Sequence, residues 1–346
     1  MRAEGGKWSS YALVTPIIES RKLRTLKREH AAVIAGASEI SDAIAGMGST
    51  DLGIFLNEIY HENLCANDLE LPLWQFLAKE VSFLYEKIPN EAGIVLDAYL
   101  NKYDVTNIKA TIRKILSTFT DGIGVPLGFV SRNDKLKELL KCNSLDEISV
   151  VLDSLSMTGY AAVTRRTTDR LTLEGELEDE YCSGLLRTGE RSGDPHVQRF
   201  FGEMVDLTNT LSFLRCIGQN KSITTHQLFG QTYRLSSNDI QALLSCTSVE
   251  NALTVLEKTH YHRLAVRLMD AYVRTHSTLL LESLTSEYLD HLSYDEFLVS
   301  VFTPGHILSY ILCKEREVHT ALLILKFVEE QLHHDTYARW LSGEMV

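Results

Sequence analysis

The stretch VDLTNTLSFLRCI, residues 205–217, carries an acid, an asparagine three positions later and an arginine six positions after that. A near copy, YDVTNIKATIRKI, occupies residues 103–115, and a looser copy keeps the spacing with Glu317, Thr320 and Lys326. At about 100° per residue, the apolar positions of the copies fall in one sector of a helix. The stretch therefore predicts one amphipathic helix that recurs three times, which we name the signature helix.

The polar residues of the signature helix recur in register and are the candidate structural or interface residues. They are Asp104, Asn107, Arg113, Asp206, Asn209, Arg215, Glu317 and Lys326. The basic residue lies about 180° around the helix from the acid, so the two cannot pair on their own helix. Either the acids brace a neighbouring helix, or they line a shared central surface that faces a partner. The sequence leaves both interpretations open.

A second motif recurs with nearly the same period. Ser38, Ser144 and Ser248, which are 106 and 104 residues apart, each stand before a helical pattern. Serine is a preferred N-cap residue, so Ser38 is expected to begin a helix, with Glu39 in its first turn. Ser144 and Ser248 hold the corresponding places of the two later copies. Two motifs that recur in the same order predict an internal threefold repeat. The predicted units are repeat 1 at 11–118, repeat 2 at 127–222 and repeat 3 at 228–332.

Apolar residues follow helical spacing along most of the chain, and strand-like alternation never lasts more than a few residues. The six prolines are few for 346 residues, which suits long helices. The predicted fold class is all-α. Gly218 is expected to end the second signature helix in the left-handed region. The long helices are predicted at 73–87, 91–117, 145–156, 199–218, 249–258, 262–287 and 305–332.

The composition narrows the classes of partner. A net charge of −12 disfavours binding to nucleic acid and direct contact with anionic lipid headgroups, so protein partners with basic surfaces are expected. No apolar run approaches the roughly 18 residues of a membrane span, and the N-terminus resembles no signal peptide. A cytoplasmic protein is expected. The six cysteines form no Cys-x-x-Cys pair and are interpreted as reduced thiols.

The candidate chemical motifs are weak. The glycine-rich run 122–128 lacks the Lys-Ser/Thr of a phosphate-binding loop. The acidic run from Glu174 to Glu180 could hold magnesium, as in all-α prenyl-transferring enzymes, but no second acidic motif stands out. A solvated helix face is the simpler interpretation. No cofactor, metal ion or catalytic residue is predicted, and a magnesium-dependent enzyme is kept as an alternative.

The order of the motifs resembles the rotor-adaptor subunit of V-type and archaeal A-type ATPases and ATP synthases, which is the C subunit of the archaeal enzymes and the d subunit of the eukaryotic ones. The resemblance rests on SLDE at 144–147 with TGY at 158–160, on DLTN at 206–209 with LR at 214–215, and on YILCKERE at 310–317 with LLILK at 322–326. It extends from about Tyr11 to Leu332.

Two positions depart from the family pattern. Leu52 stands where the first unit usually carries an aromatic residue. The run VHT at 318–320 replaces the usual apolar-Arg-Asn run of the third unit. These departures blur the third repeat and leave the expected fold unchanged.

The resemblance implies three similar helical units in a pseudo-threefold, funnel-shaped arrangement. One end of the funnel would rest on the membrane rotor ring, without insertion into the membrane, and the other would receive central-stalk subunits D and F. Such a subunit is not an enzyme: it would transmit torque for proton or sodium transport linked to ATP synthesis or hydrolysis. It would lie on the cytoplasmic face of the cell membrane. A free-standing α-helical repeat scaffold is the first alternative, and the magnesium-dependent enzyme is the second.

Overall fold

The computed structural model describes residues 4–62, 64–117, 124–219, 230–298 and 301–331. Every regular element in these ranges is a helix, and none of the described residues is in a β-strand. The prediction of an all-α fold is confirmed.

The helices of the described ranges vary in length from 4 to 27 residues. In chain order they are α1 Glu4–Lys22, α2 Arg28–Ile34, α3 Ile40–Gly46, α4 Asp51–Ile59, α5 Glu70–Tyr85, α6 Asn90–Leu116, α7 Phe129–Arg132, α8 Leu136–Lys141, α9 Leu145–Ser154, α10 Thr158–Arg166, α11 Arg170–Ser192, α12 Pro195–Gly218, α13 Ser237–Leu244, α14 Val249–Leu256, α15 His262–Thr275, α16 Thr278–Leu298 and α17 Pro304–Glu329.

The described chain divides into two compact units. The first falls within Met1–Leu96, Val125–Leu127 and Phe297–Met345, and the second falls within Asp97–Gly124 and Gly128–Glu296. The division of the sequence into three repeats remains a prediction beside this grouping.

Each compact unit contains a signature helix that is buried on several sides. In the first unit α17 packs against α1, α2, α3 and α5. In the second unit α12 packs against α11 and α14. Leu207, Phe213 and Leu214 of α12 belong to an apolar core that extends through α13 to α16. Because most of the surface of these helices is buried, the polar side chains on their buried faces must find partners inside the protein.

Two of the three recurring serines cap a helix. Ser144 and Ser248 begin α9 and α14, and each hydroxyl accepts a hydrogen bond of 3.2 Å from the backbone N–H three residues later. The prediction for Ser38 is wrong by one residue. Helix α3 begins after Glu39, whose backbone is extended and whose side chain makes no capping hydrogen bond.

The predicted uninterrupted helix at 262–287 is wrong. Helix α15 ends at Thr275, and His276 adopts the left-handed conformation with φ of 50° before α16 begins at Thr278. The hydroxyl of Thr275 accepts a hydrogen bond from the N–H of Ser277. Threonine, histidine and serine are weak helix formers, and serine and threonine hydroxyls compete for backbone groups. This local chemistry ends the helix even though the apolar periodicity continues.

The prediction for Gly218 is also wrong. Helix α12 includes Gly218, and the capping residue Gln219 has φ of −95°. A Cβ at Gly218 would lie 3.1 Å from the methyl carbon of Thr278, so glycine allows close packing there. A glycine that does adopt the left-handed conformation is Gly193, with φ of 66°, which ends α11 just before α12 begins.

Candidate functional site

Asp206 joins α12 to two other parts of the second compact unit. Its fully buried carboxylate accepts hydrogen bonds from the N–H groups of Tyr233, Arg234 and Leu235 at 2.8, 2.7 and 3.2 Å. It also accepts a 2.7 Å hydrogen bond from the hydroxyl of Tyr261. Four donors replace the water that the carboxylate loses on burial, so the contact fixes the segment that leads into α13.

Asp104 makes a similar contact from α6. Its carboxylate is fully buried and accepts hydrogen bonds from the N–H groups of Phe129 and Val130 at 2.7 and 2.9 Å. Burial raises the pKa of Asp104 to about 7, although the two N–H donors act to lower it. The preceding Gly128 has φ of 92°, and a Cβ there would overlap with the carboxylate of Asp104. Glycine is therefore required at 128 for this close approach.

Glu317 is the acid of the third copy. It is buried in α17 and accepts a 2.8 Å hydrogen bond from the N–H of Leu26, just before α2. It also accepts a 2.9 Å hydrogen bond from the ammonium group of Lys314, which is fully buried one turn earlier. Burial raises the pKa of Glu317, and Lys314 opposes this effect.

The three acids share one structural role. Each accepts backbone N–H groups from a segment at or just before the start of a short helix, which is α7, α13 or α2. In the first two copies that segment lies in the next predicted repeat. In the third copy it lies in repeat 1. We name each such contact an acid joint.

The basic residues of the signature helices contact the predicted repeats in the same order as the acids do. Each pairs with a glutamate on a long helix, which is α11, α16 or α5. The pairs are Arg113 with Glu174 at 2.6 Å, Arg215 with Glu282 at 2.5 Å and Lys326 with Glu70 at 3.8 Å. The three glutamates are 104 and 108 residues apart, close to the period of the predicted repeats. Each basic residue pairs with a residue of the next predicted repeat, and that of the third copy pairs with a residue of predicted repeat 1.

The asparagines lie beside the acids. The side chain of Asn209 donates a 2.9 Å hydrogen bond to the carbonyl of Gln231, two residues before the segment held by Asp206. Asn107 is buried on α6, and its backbone carbonyl accepts a 2.9 Å hydrogen bond from the hydroxyl of Thr111. At the third copy Thr320 is half-buried.

Several partners of the signature helices were not among the predicted residues. Glu282 follows Glu70 and Glu174 at the repeat period, so this spacing could have identified it. Glu203 of α12 gave no such signal. It is fully buried and accepts hydrogen bonds from Arg199 at 2.8 Å and from the hydroxyl of Tyr288 at 2.6 Å.

The acidic run 174–180 is largely engaged by cations. The pairs are Glu174 with Arg113, Glu176 with Arg166, Glu178 with Lys109 and Glu180 with Arg187. Across the described ranges, His, Cys, Asp and Glu side chains form no group of three that could hold a metal ion. In the same ranges, no helix combines the length and the apolar character that crossing a membrane requires.

Comparison with known proteins gives a match over nearly the whole chain. The family described as ATP synthase (C/AC39) subunit matches residues 14–339. The C subunit of the A-type ATP synthase of Methanocaldococcus jannaschii is 24% identical over 339 residues, which cover 93% of this chain and 84% of that protein. The corresponding C subunit of Pyrococcus furiosus is 21% identical over 337 residues, covering 94% and 88%. That of Methanococcoides burtonii is 24% identical over 348 residues, covering 93% and 91%.

Proposed function

The chain belongs to the family of ATP synthase (C/AC39) subunits, and on this premise we propose that it is the non-catalytic central-stalk subunit of an A/V-type ATP synthase or ATPase. It couples the membrane rotor ring to the central shaft, which contains subunits D and F. It transmits torque for proton or sodium transport linked to ATP synthesis or hydrolysis. It lies on the cytoplasmic face of the membrane, held there through the rotor ring.

The acid joints carry this proposal. A part that transmits torque must resist twisting between its subdivisions, and buried, hydrogen-bonded carboxylates provide stiff, directional connections. Asp104 connects repeat 1 to repeat 2, Asp206 connects repeat 2 to repeat 3, and Glu317 connects repeat 3 to repeat 1. The same cyclic order in the basic pairs supports a closed, pseudo-threefold arrangement of three repeats. Densely packed helices add low compressibility.

The first test asks whether the chain belongs to a rotary complex. An affinity tag is placed on the chain, and the complex is solubilised from native membranes in mild detergent. Ring subunits, subunits D and F and the ATP-hydrolysing head are expected to co-purify. Recovery of the tagged chain alone would instead favour a free-standing helical scaffold.

The second test asks whether the chain couples two activities. The complex is reconstituted in vesicles with and without this subunit, and ATP hydrolysis and ion uptake are measured separately. Without the subunit, hydrolysis by the head is expected to continue while ATP-driven ion uptake is lost. Adding the purified chain is expected to restore uptake. Uptake that does not depend on the chain would contradict the coupling role.

A further inference from the structure

No further inference is drawn: the strongest candidate, the exposed acidic patch formed by Asp68 of the α4–α5 connection and by Glu329 and Glu330 at the end of α17, is a cluster of carboxylates, and nothing among the described residues shows what binds it.

Discussion

At the residue scale, the protonation of Asp104 is coupled to folding. Burial raises its pKa to about 7, from an ordinary value of 3.8. The folded state therefore binds this proton more tightly than the unfolded chain. The resulting stability is fully present below about pH 4 and is lost as the pH rises through 7. Asp97 raises this pKa further, and Arg132 lowers it.

We expect Asp104→Asn, which stays neutral at every pH, to lack this part of the pH dependence. The free energy of unfolding of the wild-type chain should fall by on the order of 3 kcal/mol more between pH 4.5 and 8 than that of the variant. Urea titrations at the two pH values measure the difference. Asp270→Asn, at an exposed site of α15, is the control and should follow the wild type. Equal pH dependence of the wild-type chain and Asp104→Asn would refute the coupling.

The buried pair of Lys314 and Glu317 allows a double-mutant cycle. Lys314→Met leaves the buried carboxylate without its cation and should destabilise the protein by about 3–5 kcal/mol. Adding Glu317→Gln removes the unpaired charge, so the double variant should be more stable than the sum of the single changes predicts, by at least about 1 kcal/mol. Urea denaturation of the three variants gives the coupling energy. Simple additivity would show that Lys314 does not stabilise Glu317.

The sequence predicts the side chains of the acid joints but not their partners. The spacing of Asp206 and Arg215 shows that they face different neighbours. Most of the donors to Asp206 are backbone N–H groups, which almost any residue supplies, so no pattern of side chains in the sequence identifies them. The hydroxyl of Tyr261 is a side-chain donor, but the corresponding position of the first copy, two residues after Thr50, is Leu52, which has no hydroxyl.

At the element scale, the long helices were predictable and their ends were less so. Periodicity located α6, α12 and α17, because burial on several sides requires apolar residues at helical spacing. It failed at His276, where the pattern continues through a left-handed residue. Helix ends depend on the conformation of single residues and on nearby hydroxyls, which periodicity does not report.

Two glycines at helix ends allow a matched comparison. Gly128 and Gly193 both have positive φ, at 92° and 66°. A Cβ at Gly193 meets no atom within 4 Å, whereas a Cβ at Gly128 would collide with the carboxylate of Asp104. Gly193→Ala should therefore cost about 1 kcal/mol, the backbone penalty alone. Gly128→Ala should cost about 3 kcal/mol, because it also breaks the acid joint.

Thermal unfolding of the two alanine variants separates the effects. In the Asp104→Asn background, where the joint is already weakened, Gly128→Ala should cost less than in the wild-type chain, and Gly193→Ala should cost the same in both backgrounds. Equal losses for the two glycines in the wild-type chain would mean that the close approach to Asp104 contributes nothing to stability.

At the scale of the whole molecule, the third signature helix makes its polar contacts with segments near the start of the chain. Glu317 accepts a hydrogen bond from the N–H of Leu26, and Lys326 pairs with Glu70, although the members of each pair are far apart in sequence. These contacts are equivalents of those made by Asp206 and Arg215 with segments closer in sequence. Motif spacing predicts the threefold repeat, whereas the contacts of the third signature helix with α5 and with the segment before α2 were found only in the structure, since spacing does not report which segments touch.

If the acid joints are equivalent and follow a cyclic order, the chain should still fold when its two ends are moved to another position. We consider a circular permutant with new ends between residues 224 and 225. Its original ends are joined by about 30 glycine and serine residues, which span roughly 30 Å. In this permutant, contacts such as those of Asp206 with Tyr233 to Leu235 must hold repeat 3 to repeat 2 without the direct chain connection. The permutant is expected to fold with wild-type helix content.

The decisive comparison is Asp206→Ala in both chains. In the continuous chain the change should lower the free energy of unfolding by about 3 kcal/mol, since buried donors lose their acceptor. In the permutant it should also allow repeat 3 to separate, because loss of the chain connection raises the entropy gained on opening. Circular dichroism and urea titration should show a larger loss there, and Asp270→Ala should change neither chain. If the permutant fails to fold while Asp206 is intact, the joints are not equivalent and the closed cycle is wrong.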